Sequence, residues 1–580
     1  MTRTDSVVVG TLVVLLALVA GLIGVPAILP SLTPGASPAP SGEPAPDALR
    51  PYVEGAMGAA VSVSPFTART QVDRDLVALI FSGLVRNGPG GTIVADLAES
   101  WSVDDEGRTW TVVLRDDARW HDGEPVTSED VAFTIRTLQD PAYQGPASTS
   151  WREVTVGTPT ADVVTFALAT PLGGFLQALT QPIAPAHILA EVPVALLPDH
   201  PFGRQPVGTG PFSLVELDQT SASLIPAVTL DLVPDGSPDP SARPTDSLAT
   251  PGATRRPERP LPYLAEIDFR FYTDPALLAK DFRSGDLDAV SGISPELAAE
   301  LGTTTGSRLL RYPGSTLTAV VLNLRPGHRE FADPRVRTAL LQAIDRADII
   351  GSAYAGAAAA AAGPIAPSSP LYDAAADPPV GFDPDAAQAG LKAAGWSRKD
   401  DGWYLPDAKE PLSIEVISPT VATNRSLFDA AAAVVEDWTA IGLTATHEAL
   451  PPGVFATDRL STGDFSVAVV DVIIGLDPDL YPLLASSQTL TGGSNIAGLQ
   501  DPALDALLIA ARAPGTDDQR KAAYSALQKQ LATGRYLLPV AFAHEVVVAH
   551  DTLQGPAIRQ VTDPSDRFWD VLTWRLAVDR

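Results

Sequence analysis

Residues 93–140 constrain the fold more than any other stretch, because a strand pattern gives way to a helix pattern across a short turn-rich interval. Leu97, Ala98 and Trp101 form the apolar end of one segment. Asp104-Asp105-Glu106-Gly107 reads as a turn, since Asp and Gly tolerate the backbone angles that turns require. Thr109 to Arg115 is rich in Thr, Trp and Val and reads as a strand. Asp116 to Pro125, carrying Trp120, His121 and Gly123, is turn-rich again. Thr127 then starts a helix: its hydroxyl can cap the backbone, and Asp130 three residues later can reach back, a variant of the capping box. Val131, Ile135 and Leu138 follow at helical spacing, so one face is buried.

The alternation continues along the chain. Val61, Val63 and Phe66 suggest a first strand, at Ala60 to Val63, with its exit turn. Asp75 to Leu84 reads as an amphipathic helix, and Val163 to Leu168 as a strand, with Gly173-Gly174 turning beyond it. Strands are expected at Leu412 to Ser418 and Phe465 to Val472. Asp274-Pro275, Asp333-Pro334, Asp383-Pro384 and Asp501-Pro502 each set a capping Asp before a Pro at the first helical position. Gly395 ends the third of these helices, and Val336, Leu340 and Ile344 give the second a buried stripe. Helices alternating with strands place the chain in the α/β class. Its 580 residues exceed what one core holds, so two or three lobes are expected.

With 40 Lys and Arg against 69 Asp and Glu, the net charge is −29, which argues against nucleic acid and anionic lipid as partners. There are no cysteines, so disulfides, thiolate metal sites and cysteine nucleophiles are excluded. Val7 to Leu29 is almost wholly apolar and long enough to cross a hydrocarbon core of roughly 30 Å as a helix. An uncleaved membrane anchor is favoured over a cleaved signal, which has a shorter apolar region and a small-x-small cleavage site. Ser31 to Leu49 is built of Pro, Ala, Ser and Gly and reads as an extended tether, with the folded part beginning near Tyr52. Pro234 to Pro260 has almost no apolar residues and reads as a disordered surface insertion, locally basic at Arg255, Arg256 and Arg259.

No catalytic set emerges: there is no nucleophile elbow, phosphate-binding Walker loop or metal-ligand cluster, and no cofactor is implied. His544 to His550, HEVVVAH, has the wrong spacing for two ligands one helical turn apart, and its valines indicate a strand. Asp116-Asp117 and Asp400-Asp401 read as solvated turn residues, and His187 as a capping or packing residue. Gly208-Thr209-Gly210 is glycine-rich but lacks the Lys and Ser/Thr of a phosphate loop, so a tight chain crossing is its expected role.

Residues 97–141, LAESWSVDDEGRTWTVVLRDDARWHDGEPVTSEDVAFTIRTLQDP, resemble the signature region of the family 5 extracellular solute-binding proteins of peptide and nickel ABC transporters. Four further stretches resemble that family in the same order: Pro206 to Phe212 (PVGTGPF), Phe282 to Val290 (FRSGDLDAV), Phe331 to Arg346 (FADPRVRTALLQAIDR) and Gly381 to Trp396 (GFDPDAAQAGLKAAGW). The resemblance implies an α/β, two-lobed periplasmic-binding-protein-like fold with an extra subdomain. It divides the chain into an anchor or signal at 1–30, a linker at 31–50 and a first lobe at 51–290. That lobe holds the subdomain at about 67–200 and the insertion at 234–260. A second lobe follows at 291–515, and 516–580 return to the first.

The implied function is capture of a peptide or similar small solute and its delivery to the permease subunits of an ABC transporter. The protein would be a monomer held at the cell membrane by its N-terminal helix, with its bulk extracytoplasmic. A membrane-tethered receptor or scaffold of the same fold is the alternative. In peptide-binding members the ligand lies extended between the lobes and pairs with backbone strands, an addition of β-structure in which main-chain bonds supply affinity. By that likeness Ala60, Val61 and Ser62 offer an edge, and Gly208, Thr209 and Gly210 a loop near the cleft. Family members carry an acid for the ligand's amino group in a D-x-x-[DE]-P context. Here Asp477-Pro478 fits the end of the pattern, but Ile474 stands where that acid belongs, leaving Asp471 and Asp477 as the nearby carboxylates.

Overall fold

The computed structural model describes residues 50–88, 92–104, 106–145, 151, 153–227, 261–489 and 493–577. The expected anchor at Val7 to Leu29, the tether and the insertion at Pro234 to Pro260 lie outside the described residues. Among the described residues no helix is long and apolar enough to cross a membrane.

An 11-stranded sheet runs through the molecule. Its strands, in chain order, are β1 (Tyr52–Met57), β2 (Phe212–Leu217), β3 (Ser221–Pro226), β4 (Ile267–Tyr272), β5 (Ala289–Ser291), β6 (Ser307–Leu322), β7 (Ala358–Ala360), β8 (Ser413–Pro419), β9 (Thr444–Leu450), β10 (Val467–Ile473) and β11 (Leu538–His550). They lie in the order β9-β8-β10-β6-β11-β5-β1-β4-β3-β2, with β7 paired to β11. β1 is parallel to β4 and β5 in the first lobe, and β8 is parallel to β9 and β10 in the second. The long antiparallel pair β6 and β11 belongs to both lobes. Ser307 to Pro313 pairs with His550 to His544, and Leu317 to Val320 with Phe542 to Leu538, after a shift of register between Pro313 and Leu317.

Apolar packing follows this division. Leu310 and Tyr312 of β6 are buried in the first-lobe core with Tyr52, Phe269 and Ala549, whereas Val320 and Leu322 are buried in the second-lobe core with Val416, Val469 and Leu538. The chain therefore passes between lobes inside two strands rather than in loops. This moves the expected boundaries. The helix Pro295–Leu301 packs with the first lobe through Ala298 and Leu301, so that lobe extends past residue 290. The helix Asp517–Gly534 packs with the second through Tyr524, Leu527 and Leu531, so the return comes within β11 and not at 516.

The subdomain is a 4-stranded antiparallel sheet of Ala98–Val103, Thr109–Leu114, Val163–Leu168 and Val154–Thr160, covered by the helix Ser128–Gln139. Asp130 Oδ2 accepts from the Thr127 backbone N–H at 2.8 Å, as the capping pattern predicts. All four Asp-Pro pairs cap helices as expected, with each Asp side chain accepting from the first turn. The first strand and first helix fall elsewhere than expected. The strand is Tyr52–Met57, and Ala60 to Val63 is a loop. Helix α1 (Gln71–Ile80) begins four residues ahead of Asp75, because Thr70 and Asp73 form a capping box that starts it there.

Candidate functional site

In α/β sheets a crevice opens outside the carboxyl ends of the parallel strands. Here those ends face the crossing from both lobes. β5 pairs Ala289 with Ala549 and Val290 with Val548, so it and its parallel neighbour β1 run toward the crossing. β1 continues there into the loop that holds Ala60, Val61 and Ser62. In the second lobe β10 ends at Ile473, which pairs with Thr316 beside the register shift.

Asp471 sits at that end of β10. Its Oδ1 accepts from the Thr318 hydroxyl at 2.6 Å and its Oδ2 from the Asn424 amide at 3.2 Å. Thr318 has only one proton to give, so the Tyr354 hydroxyl, 2.6 Å away, donates to it in turn. Asn424 is itself the N-cap of the helix Arg425–Ala440 and accepts from Leu427 N–H at 3.1 Å. Asp471 keeps access to solvent while protein crowds its carboxyl. Burial raises its pKa, and the Thr318 and Asn424 hydrogen bonds oppose the rise. Two residues on, Ile473 leaves 70% of its surface exposed. A positioned carboxylate beside exposed apolar surface suits an ammonium group attached to an apolar body.

The first-lobe residues are arranged differently from the expectation. Ala60, Val61 and Ser62 are not strand, and two of their N–H groups are already engaged: Asp73 Oδ1 accepts from Val61 at 2.6 Å and from Ser62 at 2.9 Å. Ser62 is buried and its hydroxyl bonds that of Thr67, leaving Val61, 64% exposed, as the part of the loop open to a ligand. No strand edge for main-chain pairing exists at this place.

Gly208, Thr209 and Gly210 form the tight crossing anticipated for them. A Cβ on Gly208 would lie 1.9 Å from Ile80 O, and one on Gly210 would lie 2.6 Å from Leu79 O, so the loop lies against the end of α1 where only glycine fits. Gly210 N–H donates to Ile80 O at 2.7 Å, Thr209 Oγ1 accepts from Ser82 N–H at 3.1 Å, and His121 spans the loop, its ring bonded to Gly210 O at 2.9 Å and to Gly208 N–H at 3.3 Å. Burial lowers the His121 pKa. The loop lines a cavity of about 710 Å³ that no residue of the second lobe borders.

Asp477 neither caps a helix nor stands free for a ligand. Its two oxygens accept from Arg520 at 2.7 and 2.8 Å, and no helix starts at Pro478. It packs against Gly174, where an added Cβ would meet its carboxyl carbon at 2.8 Å. Beside it, Gly173 N–H donates to Arg512 O at 2.8 Å, so this glycine turn joins the subdomain to the second lobe. Thr318, Tyr354 and Asn424 were not anticipated. They lie 153, 117 and 47 positions from Asp471 in the chain, and only the folded sheet brings them together.

The family model for bacterial extracellular solute-binding proteins, family 5 middle, matches residues 92–495. Protein XP55 of Streptomyces lividans is 29% identical over 463 residues, covering 78% of this chain and 76% of the relative. The nickel-binding periplasmic protein of Escherichia coli is 24% identical over 516 residues, covering 85% and 90%. The solved structure of the oligopeptide-binding protein AppA from Bacillus subtilis, in complex with a nonapeptide, superposes with a TM-score of 0.67 at 21% identity, covering 91% of this chain and 100% of that one.

Proposed function

Because the chain belongs to the bacterial extracellular solute-binding proteins of family 5, we propose that it captures a peptide or a similar small solute between its lobes. It then delivers that solute to the permease of an ABC transporter. The observation that supports the ligand class is Asp471, aligned by Thr318 and Asn424 at the carboxyl end of β10. It takes the part that the family gives to an acid at the position of Ile474, and holds the ligand's amino group. Nickel binding by the Escherichia coli relative and peptide binding by AppA make a peptide and nickel the two ligand classes to compare. With its carboxylate and exposed isoleucine, the cleft suits the peptide.

Titration with a free-amine peptide and with its N-acetylated form tests this. The free amine is expected to bind the parent, and Asp471→Asn to weaken it roughly tenfold or more, since a hydrogen bond to a charged group contributes on the order of 1.5–3 kcal/mol. Equal binding of both peptides to both proteins would overturn the role of the carboxylate. A different solute class carried through purification and identified by native mass spectrometry would overturn the peptide reading.

The protein is further proposed to stay at the membrane through Val7 to Leu29, which has the apolar length to span a bilayer and no cysteine nearby for lipid attachment. Mass spectrometry of the mature N-terminus checks this: an intact start is expected, and a start between Ala27 and Leu49 in the soluble fraction would overturn it.

A further inference from the structure

The cavity of about 710 Å³ lies within the first lobe, bordered by α1, the Gly208–Gly210 loop, subdomain residues 115–119 and the C-terminal segment 559–572. Its size falls inside the range of roughly 300–1,000 Å³ typical of small-molecule sites. In a chain of net charge −29, its wall is notable for holding five arginines, Arg74, Arg86, Arg115, Arg119 and Arg559, against three aspartates.

Two of the five are already neutralised: Arg74 pairs with Asp563 at 2.8 Å and Arg115 with Asp117 at 2.8 Å. Arg559 is not. It is 8% exposed, and among the described residues its guanidinium donates only to the Gly88 carbonyl at 3.3 Å and the Asp566 carbonyl at 2.9 Å. Among the described residues its Nε has no hydrogen-bond partner, as is also true of Arg535 and Arg567. Trp569 covers it, with the ring centroid 5.0 Å from the guanidinium carbon. Burial lowers its pKa to about 10, the carboxylates of Asp566 and Asp570 oppose the fall through space, and the charge of neighbouring Arg86 adds to it. Arg86 has no carboxylate within ion-pair distance among the described residues, Asp96 acting on it only through space. Beside it Asn87, 7% exposed, buries an amide oxygen without a partner among the described residues. Buried arginines elsewhere show the contrast: Arg567 meets Glu54 and Asp75, and Arg535 meets Asp377. Two arginines beside a void, neither in a carboxylate ion pair and each with carboxylates acting on it only through space, with a donor and an acceptor unpaired among the described residues, are an arrangement that an anion completes. Val77, Phe81, Leu97 and Phe568 give the wall an apolar part, beside the hydroxyls of Ser82, Thr180, Thr209 and Ser565.

We propose that this cavity is a second ligand site, separate from the interlobe cleft, for a small organic anion. The anion would have an apolar body and a carboxylate or phosphate head, the head being held by Arg559 and Arg86. Arg559 offers its free Nε–H, Arg86 a second guanidinium, and the Asn87 amide oxygen accepts from a hydroxyl or N–H on the ligand body.

Isothermal titration of the full chain with octanoate, phenyl phosphate and the neutral octanamide tests the site. At least one anion is expected to bind and octanamide not to; which anion binds tells a carboxylate site from a phosphate site. Arg86→Gln should weaken that anion roughly tenfold or more, while Asp471→Asn leaves it unchanged. Arg559→Gln should act the same way, but it removes a buried group, so Arg86→Gln, on a partly exposed residue, decides the matter if Arg559→Gln does not fold. The proposal is overturned if neither anion binds at millimolar concentration, or if octanamide binds equally well. It is also overturned if Arg86→Gln binds as the parent does, or if Asp471→Asn weakens the anion as much as Arg86→Gln. The last outcome would put the anion in the interlobe cleft.

Discussion

At the scale of single residues, the carboxylates of this acidic chain do different work according to what surrounds them. Asp477 is neutralised by Arg520, Asp471 meets only the uncharged Thr318 and Asn424 among the described residues, and Glu54 and Asp75 share the fully buried Arg567 at 2.7 and 2.8 Å. Glu545 on β11 is the odd member of that last group. Burial pushes its pKa up to about 7; Arg567 opposes the rise, while Asp75, Asp563 and Glu54 add to it. Its folded pKa thus lies above its ordinary value of 4.5, so the stability that the protonated group contributes is fully present below about 4.5 and is lost as pH rises through about 7. Glu545→Gln stays neutral at every pH. It is expected to match the parent near pH 4.5 and to exceed it at pH 8 by on the order of 1 kcal/mol, a figure discounted for the residue's partial exposure. Urea denaturation of both proteins at the two pH values measures this, and a difference that does not depend on pH would contradict it.

At the scale of elements, local rules decide where helices begin, and tertiary approach decides where loops go. The Asp-Pro starts, the strand at Thr109–Leu114 and the helix opened by Thr127 were legible because each depends on neighbours within about four residues. The loop at Ala60–Ser62 was not. Its valine alternation looks like a strand, but the Asp73 carboxylate takes its N–H groups, and Asp73 belongs to the next helix. Asp471 was legible as a candidate, whereas the hydroxyls and amide that orient it come from β6, from the helix Arg346–Tyr354 and from a helix cap far along the chain. The role of Gly208–Gly210 as a tight crossing was legible from glycine content, but its contact with the end of α1 was not. Gly208→Ala is expected to lower stability by about 1–3 kcal/mol, because the Ile80 carbonyl that the new Cβ meets is backbone and cannot rotate away. Gly381→Ala, where a Cβ meets nothing within 4 Å, is the control. Equal melting temperatures for both variants would show that the loop tolerates displacement.

At the scale of the whole molecule, two lobes with separate cores share the strands β6 and β11. The C-terminal segment braces the crossing where Ser315 N–H donates to Val561 O at 3.0 Å and Val561 N–H to Pro313 O at 2.9 Å. The Gly173 turn touches the second lobe at Arg512. Hinges are a few residues that absorb backbone change while the packed bodies move rigidly, and the register shift between Pro313 and Leu317 is the place in β6 where the ladder is already interrupted. Gly314 lies inside that shift, and a Cβ there would stand 2.2 Å from Ala543 O on the opposing strand. The close approach belongs to this particular angle between the strands, so Gly314→Ala should drive the crossing to another angle while leaving both lobe cores intact. The variant is expected to give small-angle scattering that differs from the parent's without ligand. It is also expected to bind an amine-bearing peptide more weakly, since reaching the closed arrangement then carries an added cost that affinity must offset. Scattering and affinity both equal to the parent's would show that the crossing accommodates the methyl group locally and that the lobes turn about some other point.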